Sequence, residues 1–172
     1  MQKMLVSINN FLSKEEIESF LNKQTSIDLI VDKTSSIISK YNNAKVYTQW
    51  VEFLTMKSGS FNSLHTDIDN NEENLISAIL YLNSDYNGGE FIFQNIKVKP
   101  NSGQLLFFNS NKNTPHEVTE VLGADRLSIS MFFSYDETRS KYKYLSKTIS
   151  NAYKRDKKPI KCKREKIEVR RR

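Results

Sequence analysis

The sequence Ser63-Leu64-His65-Thr66-Asp67-Ile68-Asp69 holds the first candidate functional residues of this chain. It contains one of the two histidines in this 172-residue chain, and Asp67 follows His65 by two positions. On an extended segment, two such side chains point to the same face. Together with the second histidine, His116, they would place two nitrogens and one oxygen on one side of a metal ion. That donor set leaves the opposite side open and suits non-haem Fe(II) and oxygen chemistry.

The His-x-Asp spacing is a weak signal when it is taken alone, because aspartate is a common residue. The competing interpretation is an exposed histidine at a strand end that forms a hydrogen bond with a loop aspartate. Both histidines of this histidine-poor chain fall at strand-like edges beside polar loops. This placement favours a metal site without excluding the simpler pair.

Arg126 is the only arginine before position 139, in a body that otherwise uses lysine. It opens an apolar strand pattern, and its planar guanidinium can hold a carboxylate through two parallel hydrogen bonds. A bound anion is therefore one candidate partner for this side chain. The alternative is a salt bridge to a carboxylate of the body, such as Glu117 or Glu120.

Two helices are predicted near the N-terminus. Ser13-Lys14-Glu15-Glu16 has the pattern of a capping box, and apolar residues follow at helical spacing. A second helix is predicted from about residue 26 to residue 41, with Asn42-Asn43 ending it.

The remainder of the body has the pattern of short strands separated by turns. The predicted strands are 46–57, 64–68, 75–82, 90–94, 96–99, 104–108, 116–121 and 126–134. Only Asn95 separates two of them, so 90–94 and 96–99 could form one bent strand. The pattern predicts a mainly β fold with N-terminal helices. We expect a double-stranded β-helix (jelly roll) with the helices packed on one sheet.

Alternation along 126–134 predicts how this strand divides its two faces. Leu127, Ile129, Met131 and Phe133 form one face, and Arg126, Ser128, Ser130 and Phe132 form the other. We expect the first face to pack on the helices and the second to line a cavity.

The length of the chain suits a single sizeable core. The predicted domain covers 1–138, with a helical part at 11–43 and the jelly roll at 44–135. No apolar run is long enough to cross a bilayer, so we expect no membrane association. A single cysteine, Cys162, and the lack of a signal-peptide pattern predict a cytoplasmic protein.

Residues 139–172 differ sharply from the body in charge. Residues 1–138 carry 10 Lys and 1 Arg against 17 acidic residues, whereas 139–172 carry 9 Lys and 6 Arg against 3 acidic residues. Tyr142, Leu145, Ile149 and Tyr153 have helical spacing, so a basic C-terminal helix and tail are predicted. The tail at 154–172 is either a solvated terminus or an anchor for nucleic acid or ribosomes. Oligomeric state is left open.

Six motifs occur in a fixed order along the body. They are His65-Thr66-Asp67, Tyr81-Leu82-Asn83, Asn87-Gly88-Gly89-Glu90, Lys99-Pro100 with Gly103 and Leu106-Phe107-Phe108, His116-Glu117-Val118, and Arg126. In this order they resemble the 2-oxoglutarate- and Fe(II)-dependent oxygenases, and within them the prolyl 4-hydroxylase-like group. The resemblance extends over roughly residues 44–135.

The resemblance implies a set of roles for individual residues. His65, Asp67 and His116 would be the iron ligands and the catalytic centre, and Arg126 would bind the distal carboxylate of 2-oxoglutarate. Tyr81, and Ser128 or Ser130, would add hydrogen bonds to the same cosubstrate. Fe(II), 2-oxoglutarate and O2 are the implied cofactors, with ascorbate as a candidate reductant. The implied reaction hydroxylates a prolyl or other residue of a peptide or protein and releases succinate and CO2.

Two alternatives to this function stay open. The same oxygenase chemistry could act on a nucleic acid or a free amino acid, although the second arginine of alkylation-repair demethylases is replaced by Phe132. The second alternative is a non-catalytic jelly-roll module with a nucleic-acid-binding tail. One departure concerns the cosubstrate: where relatives often have a tyrosine about nine residues before the first ligand, Thr55 or Met56 stands here.

Overall fold

The computed structural model describes residues 5–67 and 75–141, together with the backbone of two strands at 145–150 and 164–167. The described elements comprise two helices, a short 3-10 helix at Glu137–Lys141, and thirteen strands. The helices are α1 (Lys14–Leu21) and α2 (Ile27–Asn42). The strands are β1 (Leu5–Ile8), β2 (Tyr47–Met56), β3 (Asn62–His65), β4 (Leu75–Tyr81), β5 (Tyr86–Gly88), β6 (Phe91–Phe93), β7 (Ile96–Val98), β8 (Leu105–Ser110), β9 (His116–Val118), β10 (Val121–Gly123), β11 (Arg126–Ser134), β12 (Leu145–Ser150) and β13 (Arg164–Ile167).

The strands form a large sheet, a small sheet and a short two-stranded ribbon. The order of the large sheet is β1-β8-β4-β11-β2-β12-β13, and that of the small sheet is β3-β9-β6-β7. Strands β5 and β10 form the ribbon. Neighbours in the core of the large sheet are distant in sequence and antiparallel, as in the predicted double-stranded β-helix. The predicted fold class is confirmed.

Both N-terminal helices begin where the sequence predicts them, and the predicted capping box of the first is present. The Ser13 hydroxyl accepts from the backbone N–H of Glu16, whose carboxylate accepts from the backbone N–H of Ser13, which completes the capping box. The hydroxyl of Ser26 caps α2, and Asn43 closes it in a left-handed conformation.

The large sheet has a different core on each face. Ile17 from α1 and Ile30, Val31 and Ile38 from α2 pack on one face, against a cluster that includes Ile129, Met131 and Phe133. A second cluster lies on the opposite face and contains Met56, Tyr81, Tyr86, Phe91, Phe93, Leu106, Phe108, Val118 and Val121. The predicted division of β11 into a helix-facing side and a cavity-facing side is therefore confirmed.

One strand prediction and one alternative are wrong in detail. The two strands predicted within 90–99 are present, but they do not form one bent strand. They form an antiparallel hairpin in which Phe93 pairs with Ile96, because Gln94 adopts a left-handed φ of 53° and reverses the chain. The predicted strand at 116–121 is divided into β9, which pairs with β3 and β6, and β10, which pairs with β5. This division carries the chain from the small sheet to the ribbon.

The C-terminal helix predicted from residue 139 onward is also wrong over 145–150. This segment is β12, which pairs in parallel with β2 and antiparallel with β13. Two apolar residues four positions apart, such as Leu145 and Ile149, can share one face of a helix or one face of a strand. The apolar spacing therefore did not distinguish the two structures. Most of the basic tail at 154–172 lies outside the described residues. Within the described part of the chain, no helix is long and apolar enough to cross a membrane.

Gly103 joins the N-terminal segment to the core of the large sheet. Its N–H donates to the Tyr81 carbonyl at 2.8 Å, and its own carbonyl accepts from the Leu12 N–H at 3.2 Å. Its φ is +77°, and an added Cβ would lie 2.2 Å from the Leu12 carbonyl oxygen. Only glycine fits this close crossing of two backbones.

We expect Gly103→Ala to lower the free energy of unfolding by about 2–5 kcal/mol, since it combines overpacking with a left-handed backbone. Gly123→Ala is the matched control, because Gly123 has a φ of +81° but no atom within 4 Å of an added Cβ. It should cost only about 1–2 kcal/mol. Chemical denaturation of both variants measures the difference, and equal losses would contradict the close crossing.

Candidate metal centre

His65, Asp67 and His116 come together where β3 meets β9. His65 ends β3 and pairs directly with His116 at the start of β9, so strand pairing brings the two imidazoles side by side. Their ring centroids are 4.4 Å apart. Asp67 follows β3 by two residues, and one ligand atom from each of the three side chains lies within 4.8 Å of the other two.

Backbone hydrogen bonds orient both imidazoles in the same way. Nδ1 of His65 lies 2.7 Å from the Ser63 carbonyl oxygen, and Nδ1 of His116 lies 3.2 Å from that of Thr114. A carbonyl can only accept, so Nδ1 carries the proton and Nε2 points to the centre. The histidine–carbonyl contact is the usual way in which a protein fixes a metal-binding imidazole.

His116 is the more firmly held of the two histidines. Its side chain is buried, and its ring lies 5.3 Å from the ring of Phe91 and 4.9 Å from that of Phe108, measured between centroids. The His65 side chain remains one-third exposed. The centre therefore has a fixed wall on β9 and a more accessible side on β3.

The Asp67 carboxylate faces both imidazoles. Its oxygens lie 3.4 Å from Nε2 of His65 and 3.3 Å from Nε2 of His116. The hydrogen bond with Asp67 raises the pKa of His65. Burial would raise the pKa of Asp67, but hydrogen bonds with His116, His65 and Ser77 outweigh it and hold that pKa far below its ordinary value. An ionised carboxylate opposite two Nε2 atoms is a donor set that fits Fe(II).

The triad opens into a cavity of about 300 Å³. Arg126, Ser128, Ser130 and Phe132, the cavity-facing side of β11, line the same space as His65, Asp67 and His116. Further lining residues are Glu52, Leu54, Asn62, Ser77, Ala78, Ile79, Phe91 and Val118. The structure thus brings the sequence-predicted triad and Arg126 to one cavity.

Arg126 is almost fully buried, with 1% of its surface exposed. Its Nη1 donates to the Met56 sulfur at 3.3 Å and to the Ser128 hydroxyl at 3.4 Å, while its Nε has no partner among the described residues. The ion pairs found among these residues do not include Arg126, so the alternative salt bridge to Glu117 or Glu120 is not formed. An isolated buried cation is costly. This guanidinium is therefore suited to a bound anion.

Two buried tyrosines accompany the guanidinium. The Arg126 Cζ lies 4.8 Å from the centre of the Tyr81 ring, and the hydroxyls of Tyr81 and Tyr86 have no hydrogen-bond partner in the described part of the chain. Burial raises the pKa of Tyr81 to about 12, although the charge of Arg126 opposes the shift. Tyr81 is thus a neutral donor at physiological pH. Of the two predicted serines, Ser128 contacts Arg126, whereas Ser130 lines the cavity farther along β11.

Tyr86 is the residue that the sequence analysis missed. The signal available was its position directly before Asn87-Gly88-Gly89, because glycines often mark a close packing of neighbours. A Cβ added to Gly89 would lie 2.9 Å from Cε2 of Tyr86 and 3.1 Å from Cδ of Arg126. Gly89 therefore leaves the room in which these two side chains pack.

Asn83 holds the backbone on both sides of Arg126. Its Oδ1 accepts from the Leu127 N–H at 2.8 Å, and its Nδ2 donates to the Asp125 carbonyl at 2.7 Å. This clamp fixes the start of β11 against the end of β4. It gives a structural reason for the Tyr81-Leu82-Asn83 motif, since the tyrosine faces the guanidinium and the asparagine places it.

The sequence of this chain is similar to known proteins. Residues 51–134 match the family model described as 2OG-Fe(II) oxygenase superfamily. Prolyl 3-hydroxylase 2 of Mus musculus is 36% identical over 67 residues, which cover 35% of this chain. The aligned segment spans only 10% of the length of that relative.

Solved structures share the fold at lower identity. The viral collagen prolyl hydroxylase vCPH of Paramecium Bursaria Chlorella virus-1, in a 2OG complex, has a TM-score of 0.61 at 21% identity, covering 76% of this chain and 95% of that one. A prolyl hydroxylase of Trichoplax adhaerens, bound to a hypoxia inducible factor peptide fragment, also has a TM-score of 0.61 at 21% identity. The alignment covers 80% of this chain and 86% of that one. The predicted resemblance is confirmed.

We expect Asn83→Ala to lower the free energy of unfolding by about 1–3 kcal/mol, because it leaves the N–H of Leu127 and the carbonyl of Asp125 without their partner. Asn87→Ala is the control, since Asn87 is an exposed asparagine in the neighbouring strand β5. Urea denaturation compares the two. An Asn83→Ala protein as stable as the control would contradict the clamp.

Proposed function

The chain belongs to the 2OG-Fe(II) oxygenase superfamily through residues 51–134, and from this premise we propose that it is a 2-oxoglutarate-dependent dioxygenase. We further propose that it hydroxylates a prolyl or other residue of a peptide or protein. The observation that carries the enzyme class is the shared cavity. A complete set of metal-binding side chains and an unneutralised buried arginine line one space of about 300 Å³.

His65, Asp67 and His116 would hold Fe(II) in this proposal. Their Nε2 atoms and carboxylate already converge, so little rearrangement is needed to bind a metal cation. Fe(II) and 2-oxoglutarate, when bound, supply the activation of O2, with succinate and CO2 as co-products. Three protein ligands on one side leave the positions that a keto acid and O2 require.

Arg126 would fix the far end of the cosubstrate. Register places Ser128 and then Ser130 after it on the cavity-facing side of β11, and Ser77 of β4, which contacts Asp67, lies beside Phe132. The floor between the guanidinium and the metal ligands thus carries hydroxyl groups from Ser128 and Ser130, which can donate to a carboxylate. The apolar neighbours Leu54, Ile79 and Phe91 exclude water from this space.

The peptide substrate is supported by the names of the relatives. Prolyl hydroxylases occur both among the relatives in sequence and among those in fold, and one of the latter is bound to a peptide fragment. Phe132 lines the cavity at the position where the alkylation-repair demethylases carry a second arginine. We therefore favour a peptide over a nucleic acid.

Several details of the proposal rest on the sequence alone. Ascorbate as reductant, the cytoplasmic location and binding of nucleic acid or ribosomes by 154–172 stay predictions, as do the domain boundaries. The retained ligands and the orphaned donors beside Arg126 favour an enzyme over a non-catalytic module, because a degenerate domain has no need to bury them.

Asp67→Ala should abolish Fe(II)-dependent consumption of 2-oxoglutarate, because two imidazoles alone form a weak and incomplete metal site. The measurement is succinate production by purified protein with Fe(II) and O2, first without substrate and then with candidate peptides. Asp32→Ala, on the exposed side of α2, serves as the control and should leave turnover unchanged. No succinate from the wild type under any of these conditions would refute the enzyme class.

Arg126→Lys should raise the KM for 2-oxoglutarate about 100-fold or more, since lysine keeps the charge but loses the two parallel donors. Fe(II) binding should change little, because Arg126 is not among the three clustered ligands. Steady-state kinetics and metal titration separate the two effects. Loss of Fe(II) binding with unchanged affinity for 2-oxoglutarate would contradict this assignment.

A further inference from the structure

Tyr86 is a buried tyrosine whose ring packs in the second hydrophobic cluster but whose hydroxyl has no partner among the described residues. Its side chain is 4% exposed, and its hydroxyl is one of three buried polar side-chain atoms without a partner among the described residues. The other two are the Tyr81 hydroxyl and Arg126 Nε. All three belong to one group of packed side chains, because Arg126 stacks on Tyr81 and packs with Tyr86 around Gly89.

Such a cluster of unpaired donors is costly. Burying a donor without an acceptor is unfavourable, and protein interiors seldom tolerate it without a function. Two phenols packed against one guanidinium whose own Nε is unpaired indicate an acceptor that is supplied by a ligand. The nearby Met56 thioether, which accepts from Arg126 Nη1, is too weak an acceptor to take this role.

We propose that Tyr86 is a binding residue for the distal carboxylate of 2-oxoglutarate, sharing it with Arg126 and Tyr81. The inference rests on the proposed function, which assigns that carboxylate to Arg126, and adds a residue to it. A carboxylate offers two oxygens with about four lone-pair directions. The Nε edge of a guanidinium presents two parallel N–H groups, and the two phenols supply two O–H groups. The number of donors therefore equals the number of acceptor positions.

The state of the Tyr86 hydroxyl agrees with this role. Burial raises the pKa of Tyr86, and the opposing charge of Arg126 does not cancel the shift. The phenol therefore keeps its proton at physiological pH and can donate to an anion. Its position is set by the pairing of Tyr86 with Gly123 in the β5–β10 ribbon, which belongs to neither of the main sheets.

The test compares Tyr86→Phe with wild type and with Tyr135→Phe, an exposed tyrosine that follows β11. Calorimetric titration of 2-oxoglutarate into Fe(II)-loaded protein without O2 measures binding in the absence of turnover. Tyr86→Phe should bind 2-oxoglutarate about 10- to 100-fold more weakly, as expected for a lost hydrogen bond to a charged group. Fe(II) affinity should be unchanged, as should both affinities in Tyr135→Phe.

Two further readouts separate ligand binding from a structural role. 2-Oxopentanoate, which ends in a methyl group in place of the distal carboxylate, should bind Tyr86→Phe and wild type equally. The metal-free Tyr86→Phe protein should unfold at the same or a higher denaturant concentration than wild type, because the substitution removes an unpaired buried hydroxyl. If the hydroxyl had a structural role, its removal would lower the denaturant concentration at which the protein unfolds. A clear loss of stability would therefore overturn the proposal.

The outcomes also distinguish this inference from the proposed function. A wild-type protein that binds no 2-oxoglutarate would overturn both. A wild type that binds it, together with a Tyr86→Phe protein of equal affinity, would overturn the role of Tyr86 alone. If Tyr86→Phe lost affinity for 2-oxopentanoate by the same factor as for 2-oxoglutarate, contact of Tyr86 with the distal carboxylate would also be excluded.

Discussion

The buried guanidinium of Arg126 is the constraint on which the cavity depends. It is 1% exposed, yet its hydrogen bonds among the described residues go to a thioether and a hydroxyl, and not to a carboxylate. A buried charge is tolerated when a group of opposite charge pairs with it. Asn83 fixes the backbone on either side, Gly89 makes room for the side chain, and Tyr81 covers its face. Much of the local structure therefore positions this buried cation.

The candidate metal ligands are brought together in a different way, by the pairing of two short strands. His65 and His116 are directly opposite each other in β3 and β9, which makes their proximity a consequence of register. A slip of one residue would turn one imidazole to the other face of the small sheet. Carbonyl groups of Ser63 and Thr114 fix both rings, so that Nε2 and the Asp67 carboxylate converge. The candidate metal ligands and Arg126 line one cavity.

The sequence was sufficient to find the candidate ligands but not the whole pocket. His65, His116 and Arg126 are rare residue types in this body, and the alternation of β11 correctly separated its cavity side from its core side. Tyr86 was missed because its ring lies beside Arg126 in the fold, where β5 pairs with β10 from a distant part of the sequence. Gln94 reversed the chain in a left-handed conformation that a non-glycine residue seldom adopts, which hid the β6–β7 hairpin. Apolar spacing at 145–150 was ambiguous, and pairing with β2 decided it in favour of a strand.

We propose that a metal ion and an anionic keto acid bind together in this cavity. The decisive measurement is the binding of 2-oxoglutarate to the wild-type protein without O2, with and without Fe(II). We expect one 2-oxoglutarate per chain, bound much more tightly once one Fe(II) is present. Fe(II) that binds without any effect on 2-oxoglutarate, or a protein that binds neither, would contradict it.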